Sequence, residues 1–135
     1  MAQVEEQECP FCIGALKYSK GRLAYSMPDD SPVTTGHTLV ILTRHEENLL
    51  AASAEEWSKI WDLTRTTAEN LLKEIDADGV NLGVNIGESA GQTVAHAHVH
   101  IIPRKTGDHT DPTGGIRRIL DNSSPLPPGA RRIEQ

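Results

Sequence analysis

Three histidines fall on every second residue of VAHAHVHIIPR (94–104): His96, His98 and His100. The stretch is aliphatic enough for a strand, and on a strand the side chains at i, i+2 and i+4 share one face. The spacing therefore predicts a row of three imidazoles about 6–7 Å apart along the backbone. Ala97, Val99 and Ile101 would point the other way, into a core. The row lacks the lysines and glutamates of an ordinary solvent-facing strand. Two chemistries suit it. An H-x-H pair with a third histidine can hold a catalytic metal. Alternatively, one neutral imidazole can attack phosphorus while its neighbours donate hydrogen bonds to the phosphate oxygens. The spacing alone leaves both open.

A second chemical motif is the pair Cys9 and Cys12 in ECPFCIG. Cysteines this close are a poor staple for a fold, which points to a metal or redox feature. A thiol-redox CxxC follows a strand and opens a helix within a βαβ unit. Here nothing strand-like precedes the motif, and the following ALKYSKG is a weak helix candidate. A zinc site fits better but needs two further ligands. His109, in GDHTD, reads as a loop histidine.

The elements that must position these residues form one domain over residues 1–135. Residues 1–20 read as an N-terminal arm carrying the CxxC, and 105–135 as a loop-rich C-terminal tail. Strands are expected at Leu23–Met27, Thr38–Thr43, Val80–Ile86 and Val94–Ile102, with Pro103 stopping the last. Ser53 and Glu56 form a capping box ahead of Trp57, Ile60, Trp61, Thr64, Ala68, Leu71, Leu72 and Ile75. That periodicity predicts one helix of about 22 residues, ending near Asp76–Gly79, with both tryptophans in the core. GDHTDPTGGIRRIL has room for one short element, and SSPLPPGARRIEQ reads as a loose or partner-dependent tail. Strands on either side of one long helix indicate an α+β domain with a mainly antiparallel sheet. The formal charge of −6 and a pI near 5.4 argue against a nucleic-acid or membrane-surface binder. The acidic start MAQVEEQE and the lack of a membrane-spanning run make a cytoplasmic location the expectation.

Taken together, GHTLVILTRH (36–45) and NIGESAGQTVAHAHVHIIPR (85–104) resemble the histidine triad (HIT) family of nucleotidyl hydrolases and transferases. The pattern H-φ-H-φ-H-φ-φ, with φ hydrophobic, holds from His96 to Ile102, with Ala97 its weakest position. The resemblance spans roughly residues 9–118. HIIPRKTGD (100–108) looks more like the dinucleoside-polyphosphate hydrolase branch than the phosphoramidase branch, which usually has glycines in place of Pro103-Arg104.

The resemblance implies a HIT-like fold: about five mainly antiparallel strands, one long helix and one short helix, assembled as a homodimer. It makes His98 the nucleophile toward the α-phosphorus of an adenine dinucleoside polyphosphate or a nucleoside phosphoramidate. His100 would hydrogen-bond a phosphate oxygen and His37 would line the same pocket. Gln92 and Thr93 would sit near the leaving group and phosphate, Asn85 at the α-phosphate, and Asp29 at the ribose hydroxyls, with Asp30 its rival. Outside that frame, Asn85 and Asp29 read as turn residues and Thr93 as a strand residue. The resemblance also supplies the missing zinc ligands. His45 and His96 would complete a structural site with Cys9 and Cys12, and no metal would be required for the chemistry. Two other functions compete: a nucleotide-binding signalling or partner-binding module with incidental turnover, and a zinc-dependent hydrolase using the triad as ligands.

Overall fold

The computed structural model describes residues 6–120; the expectations for residues 1–5 and 121–135, including the whole SSPLPPGARRIEQ tail, lie outside the described residues. The chain divides between Lys105 and Thr106 into two compact units. The first contains helix α1 (Pro10–Tyr18), strands β1 (Ala24–Pro28) and β2 (Thr38–Leu42), helix α2 (Ala54–Glu74), and strands β3 (Gly79–Gly83) and β4 (His98–Arg104). In the second, Arg118 pairs with Asp111 at 3.1 Å. Among its described residues the one regular element is a 3-10 turn at Gly115–Arg118, the short element expected there.

All pairings in the sheet are antiparallel, in the order β1-β2-β4-β3. Four strands, rather than five, are present among the described residues. Alternation divides their side chains between two cores. Val40, Leu42, Val99 and Ile101 pack with Ile60 and Ala68 of α2. Tyr25, Leu39 and Ile41 pack on the opposite face with Phe11 and Ala15 of α1. The triad strand lies between β2 and β3, so its backbone is fixed from both sides.

Helix α2 starts at the predicted capping box: the Glu56 amide donates to Ser53 Oγ and the Ser53 amide to Glu56 Oε1. The Glu56 carboxylate also receives both Arg44 Nε and Nη2, at 3.1 and 3.0 Å. This guanidinium holds the Glu56 carboxyl down at about 2, and it ties the helix start to the residue before His45. Trp61 packs against the core as expected, but Trp57 is 41 % exposed. Buried residues recur on α2 at Glu56, Ile60, Thr64 and Ala68, and Trp57 stands one position off that stripe, about 100° around the helix.

Three other expectations are corrected. ALKYSKG is helical up to Tyr18, because Pro10 occupies the first turn, where a missing N–H costs nothing. Pro103 does not end the strand; it pairs with Val80 inside β4. The Arg104 carbonyl accepts from Asp78 on the β3 side, so Pro103, one residue earlier, faces β2. There β2 pairing has already ended at Thr38–Ile101, and the proline removes no ladder bond. Finally, β4 begins at His98 rather than Val94. The His96 amide donates back to the Val94 carbonyl at 2.8 Å, and the Ala97 amide to the Glu46 carbonyl at 2.6 Å. These bonds make residues 94–97 a tight turn.

Candidate active site

That turn separates the three histidines into two chemical groups. His98 and His100 stand on one face of β4, their rings 5.0 Å apart, beside Ile41 and Leu39 of β2. His96 remains on the α1 side of the sheet but lies out of step, against the cysteines. A catalytic metal held by all three rings is therefore not the arrangement present. The donor groups that gather are Cys9, Cys12, His45 and His96, and separately Asp29, His37 and His100.

Hydrogen bonds assign a proton to each ring. His98 Nδ1–H donates to the His96 carbonyl at 2.7 Å, which leaves the Nε2 lone pair as the reactive position. His98 is buried, 7 % exposed, and burial lowers its pKa against the opposing effects of the His96 carbonyl and the Asp29 charge. It is held as the neutral base. Phe11 contributes to that burial with its ring 4.9 Å from His98, edge to face.

His37 follows Gly36, whose φ of +88° suits glycine and whose Cβ, if present, would lie 2.9 Å from Ile75 Cδ1. The Val33 amide donates to His37 Nδ1 at 3.1 Å, so the His37 proton resides on Nε2. From there it donates to His100 Nδ1 at 2.9 Å. His100 in turn must carry its own proton on Nε2. Asp29 Oδ2 lies 3.4 Å from His37 Nε2 and 4.0 Å from His100 Nδ1, and its charge faces this pair. Burial first, then the neighbouring His98 and His37, push the His100 pKa down to about 4. A neutral His37 has no lone pair left at Nε2, so this second group is a chain of donors rather than a cation site.

The remaining expected residues divide. Asn85 is half-buried and Thr93 exposed. The Asn85 amide lies beside Gly91, the left-handed residue of the turn before β4. Gln92 is buried; its Nε2 donates to the Glu47 and Val94 carbonyls and its Oε1 accepts from the Gly87 amide. A phosphate contact would cost it at least one of these bonds. Asp29 Oδ1 accepts from the Ser31 amide, the turn role expected of it without a ligand.

At the cysteine group, His96 Nε2–H donates to the Leu42 carbonyl at 2.6 Å, leaving Nδ1 as a lone pair facing Cys9 Sγ at 3.3 Å and Cys12 Sγ at 3.5 Å. His45 Nδ1 lies 3.1 Å from Cys12 Sγ. All four donor atoms lie within 4.8 Å of one another. Two sulfurs, two imidazoles and a tautomer fixed by a carbonyl are the donor set of a closed structural zinc site. Sequence reasoning missed Phe11 and the Leu42 carbonyl. Phe11 was visible only as one of the two residues between the cysteines, and a backbone carbonyl leaves no sequence signal. A groove of about 460 Å³ runs between Gly21–Ala24 and α2 and contains none of these residues.

Fold and site together define an antiparallel α+β domain whose two central strands hold a buried imidazole base beside a histidine–carboxylate group. A HIT domain profile matches residues 17–107. The chain is 38 % identical over 95 residues to an uncharacterized HIT-like protein of Saccharolobus solfataricus, covering 70 % of this chain and 68 % of that one. It is 33 % identical to the asymmetrical bis(5'-nucleosyl)-tetraphosphatase of Schizosaccharomyces pombe, covering 75 % of this chain and 56 % of the relative. Among solved structures, a zinc-bound histidine triad family protein of Mycobacterium smegmatis superposes with a TM-score of 0.71 at 29 % identity, covering 79 % of this chain and 82 % of that one. The chain belongs to the HIT domain family. No helix among the described residues is long and apolar enough to cross a membrane.

Proposed function

We propose that the protein is a nucleotidyl hydrolase or transferase that cleaves at the α-phosphate of adenine dinucleoside polyphosphates or nucleoside phosphoramidates. The observation that carries this reading is the bond from His98 Nδ1–H to the His96 carbonyl, which presents Nε2 as a neutral nucleophile. His98 Nε2 forms a bond to the α-phosphorus as the bond to the leaving group breaks. Water then displaces the histidine and releases the nucleoside monophosphate. His100 donates its Nε2–H to a phosphate oxygen, and His37 holds it in that tautomer. A donor placed where charge develops is often worth more than any other single contribution. The Asp29 charge opposes the lowering of the His100 pKa by burial, and the ribose role implied by the family resemblance uses the same carboxylate. Asn85 and Thr93 flank the phosphate, while Gln92 braces the loop that carries them.

Cys9, Cys12, His45 and His96 would hold zinc, which supplies structure and leaves no position for substrate. The similarity to the yeast tetraphosphatase supports the dinucleoside-polyphosphate branch, and a homodimer joined through the sheets is in keeping with exposed Leu82 on edge strand β3 and exposed Trp57 on α2. The test is intact mass after mixing with a panel of adenylated compounds. A nucleotidyl adduct is expected, and it is expected to vanish in His98→Ala. A fully active His98→Ala protein refutes the mechanism; binding without an adduct or turnover favours a signalling module.

A further inference from the structure

Helix α1 begins at the cysteine pair, which removes one of the two sequence-based objections to thiol redox chemistry there; a 3-10 turn rather than a strand precedes it. Cys9 is the N-cap and Cys12 is the third helical residue, so both sulfurs lie on the first turn. Their Sγ atoms are within 4.8 Å of each other, close enough for side-chain rotation to join them. Access is unequal: Cys9 is buried at 1 % exposure, whereas Cys12 is half-buried. Both sulfurs converge on His96 Nδ1, and the backbone carbonyl of His96 holds the nucleophile's proton.

We propose that Cys9 and Cys12 form an oxidant-responsive dithiol whose closure to a disulfide withdraws both sulfurs from His45 and His96 and so disengages His98. The activity consequence rests on the nucleotidyl-transfer reading above; the disulfide does not. The more accessible Cys12 sulfur attacks hydrogen peroxide, giving a sulfenic acid and one water. The Cys9 sulfur then displaces the second water and the disulfide forms. Two electrons from the two thiols reduce one peroxide. Neither sulfur can then act as a thiolate ligand, and an ion held by the four residues is released. The turn at 94–97 loses its anchor on α1, and Phe11, one of the two residues between the cysteines, moves relative to His98. A displacement near 1 Å at a reacting group is enough for a large loss of rate.

The experiment uses the full chain as purified, with its metal content measured, and a small excess of hydrogen peroxide. The intact mass is expected to fall by about 2 Da per chain, with a peptide map joining Cys9 to Cys12. Bound zinc should appear in solution in the same proportion, read with a chromogenic chelator. Nucleotidyl-adduct formation should fall about tenfold or more, and a dithiol reductant plus zinc should restore it. A chain about 32 Da heavier through sulfinic acid, a disulfide between chains, or a closed disulfide with adduct formation unchanged would overturn the proposal. Cys12→Ser should be insensitive to peroxide. If that variant does not fold, the mass and ion release of the unsubstituted protein decide. If the reduced protein forms no adduct at all, the nucleotidyl reading fails alone, and the disulfide and ion release still test the dithiol.

Discussion

Replacing His37 by Phe tests whether the His37–His100 bond sets the protonation of His100, the proposed phosphate donor. Phenylalanine keeps a ring in this buried position while removing both nitrogens. The lost bond is the 2.9 Å contact to His100 Nδ1, and the Val33 amide loses its acceptor as well. A net hydrogen bond contributes about 0.5–1.5 kcal/mol. At about 1.4 kcal/mol per factor of ten, kcat/KM should fall roughly 2- to 13-fold. His100→Ala removes the donor itself and should cost about 10²–10³-fold, the usual loss for a donor to developing charge. Because His37 acts through His100, the double variant should be no slower than His100→Ala alone. The assay is steady-state hydrolysis of a diadenosine polyphosphate by all four proteins, with thermal unfolding as a control for folding. Additive losses would mean that His37 touches the substrate directly, and the assigned chain of tautomers would be wrong.

Acid should weaken the junction between α2 and the His45 segment. The Glu56 carboxyl is held at about 2 against an ordinary 4.5. Its contribution is therefore complete above about pH 4.5 and is lost as pH falls through 4.5 toward 2. Arg44 is half-exposed, so screening limits the effect to about 1–2 kcal/mol. Glu56→Gln should flatten the stability–pH curve across that window, as read by urea unfolding; an unchanged curve would remove the Arg44–Glu56 pair from the account. Gly36→Ala should destabilise by about 1–2 kcal/mol, mostly from the left-handed backbone, since the crowding Ile75 methyl can move aside. Equal melting temperatures for the two proteins would contradict this reading.

Much of the fold was legible because the sequence repeats its signals. The capping box and a 3.6-residue apolar period specified α2 to within a residue or two of its ends. Alternation correctly assigned Val99 and Ile101 to the core and His98 and His100 to the other face. Errors arose where tertiary contacts override local preference. No local signal says that residues 94–97 turn rather than extend, because one of the two bonds responsible joins the Ala97 amide to Glu46, far away in the chain. Pro103 reads as a strand end until its missing N–H is seen to face a neighbour that has already stopped. Helix α1 buries Phe11 and Ala15 but exposes Ile13, Leu16 and Tyr18, so its apolar residues surround it and nine residues display no one-sided period.

The site shows the same division at the level of single groups. The candidate side chains were identifiable by type, but the groups that fix their tautomers are largely backbone: the carbonyls of Leu42 and His96 and the amide of Val33. His96 joins the two chemical groups, its ring facing the cysteines while its carbonyl accepts from His98. In the turn at 94–97 that defeats the simple reading of three histidines in a row, the His96 carbonyl accepts from His98 Nδ1–H while the His96 ring faces Cys9 and Cys12. The departure from regular structure and the fixed tautomer of His98 therefore meet in one residue.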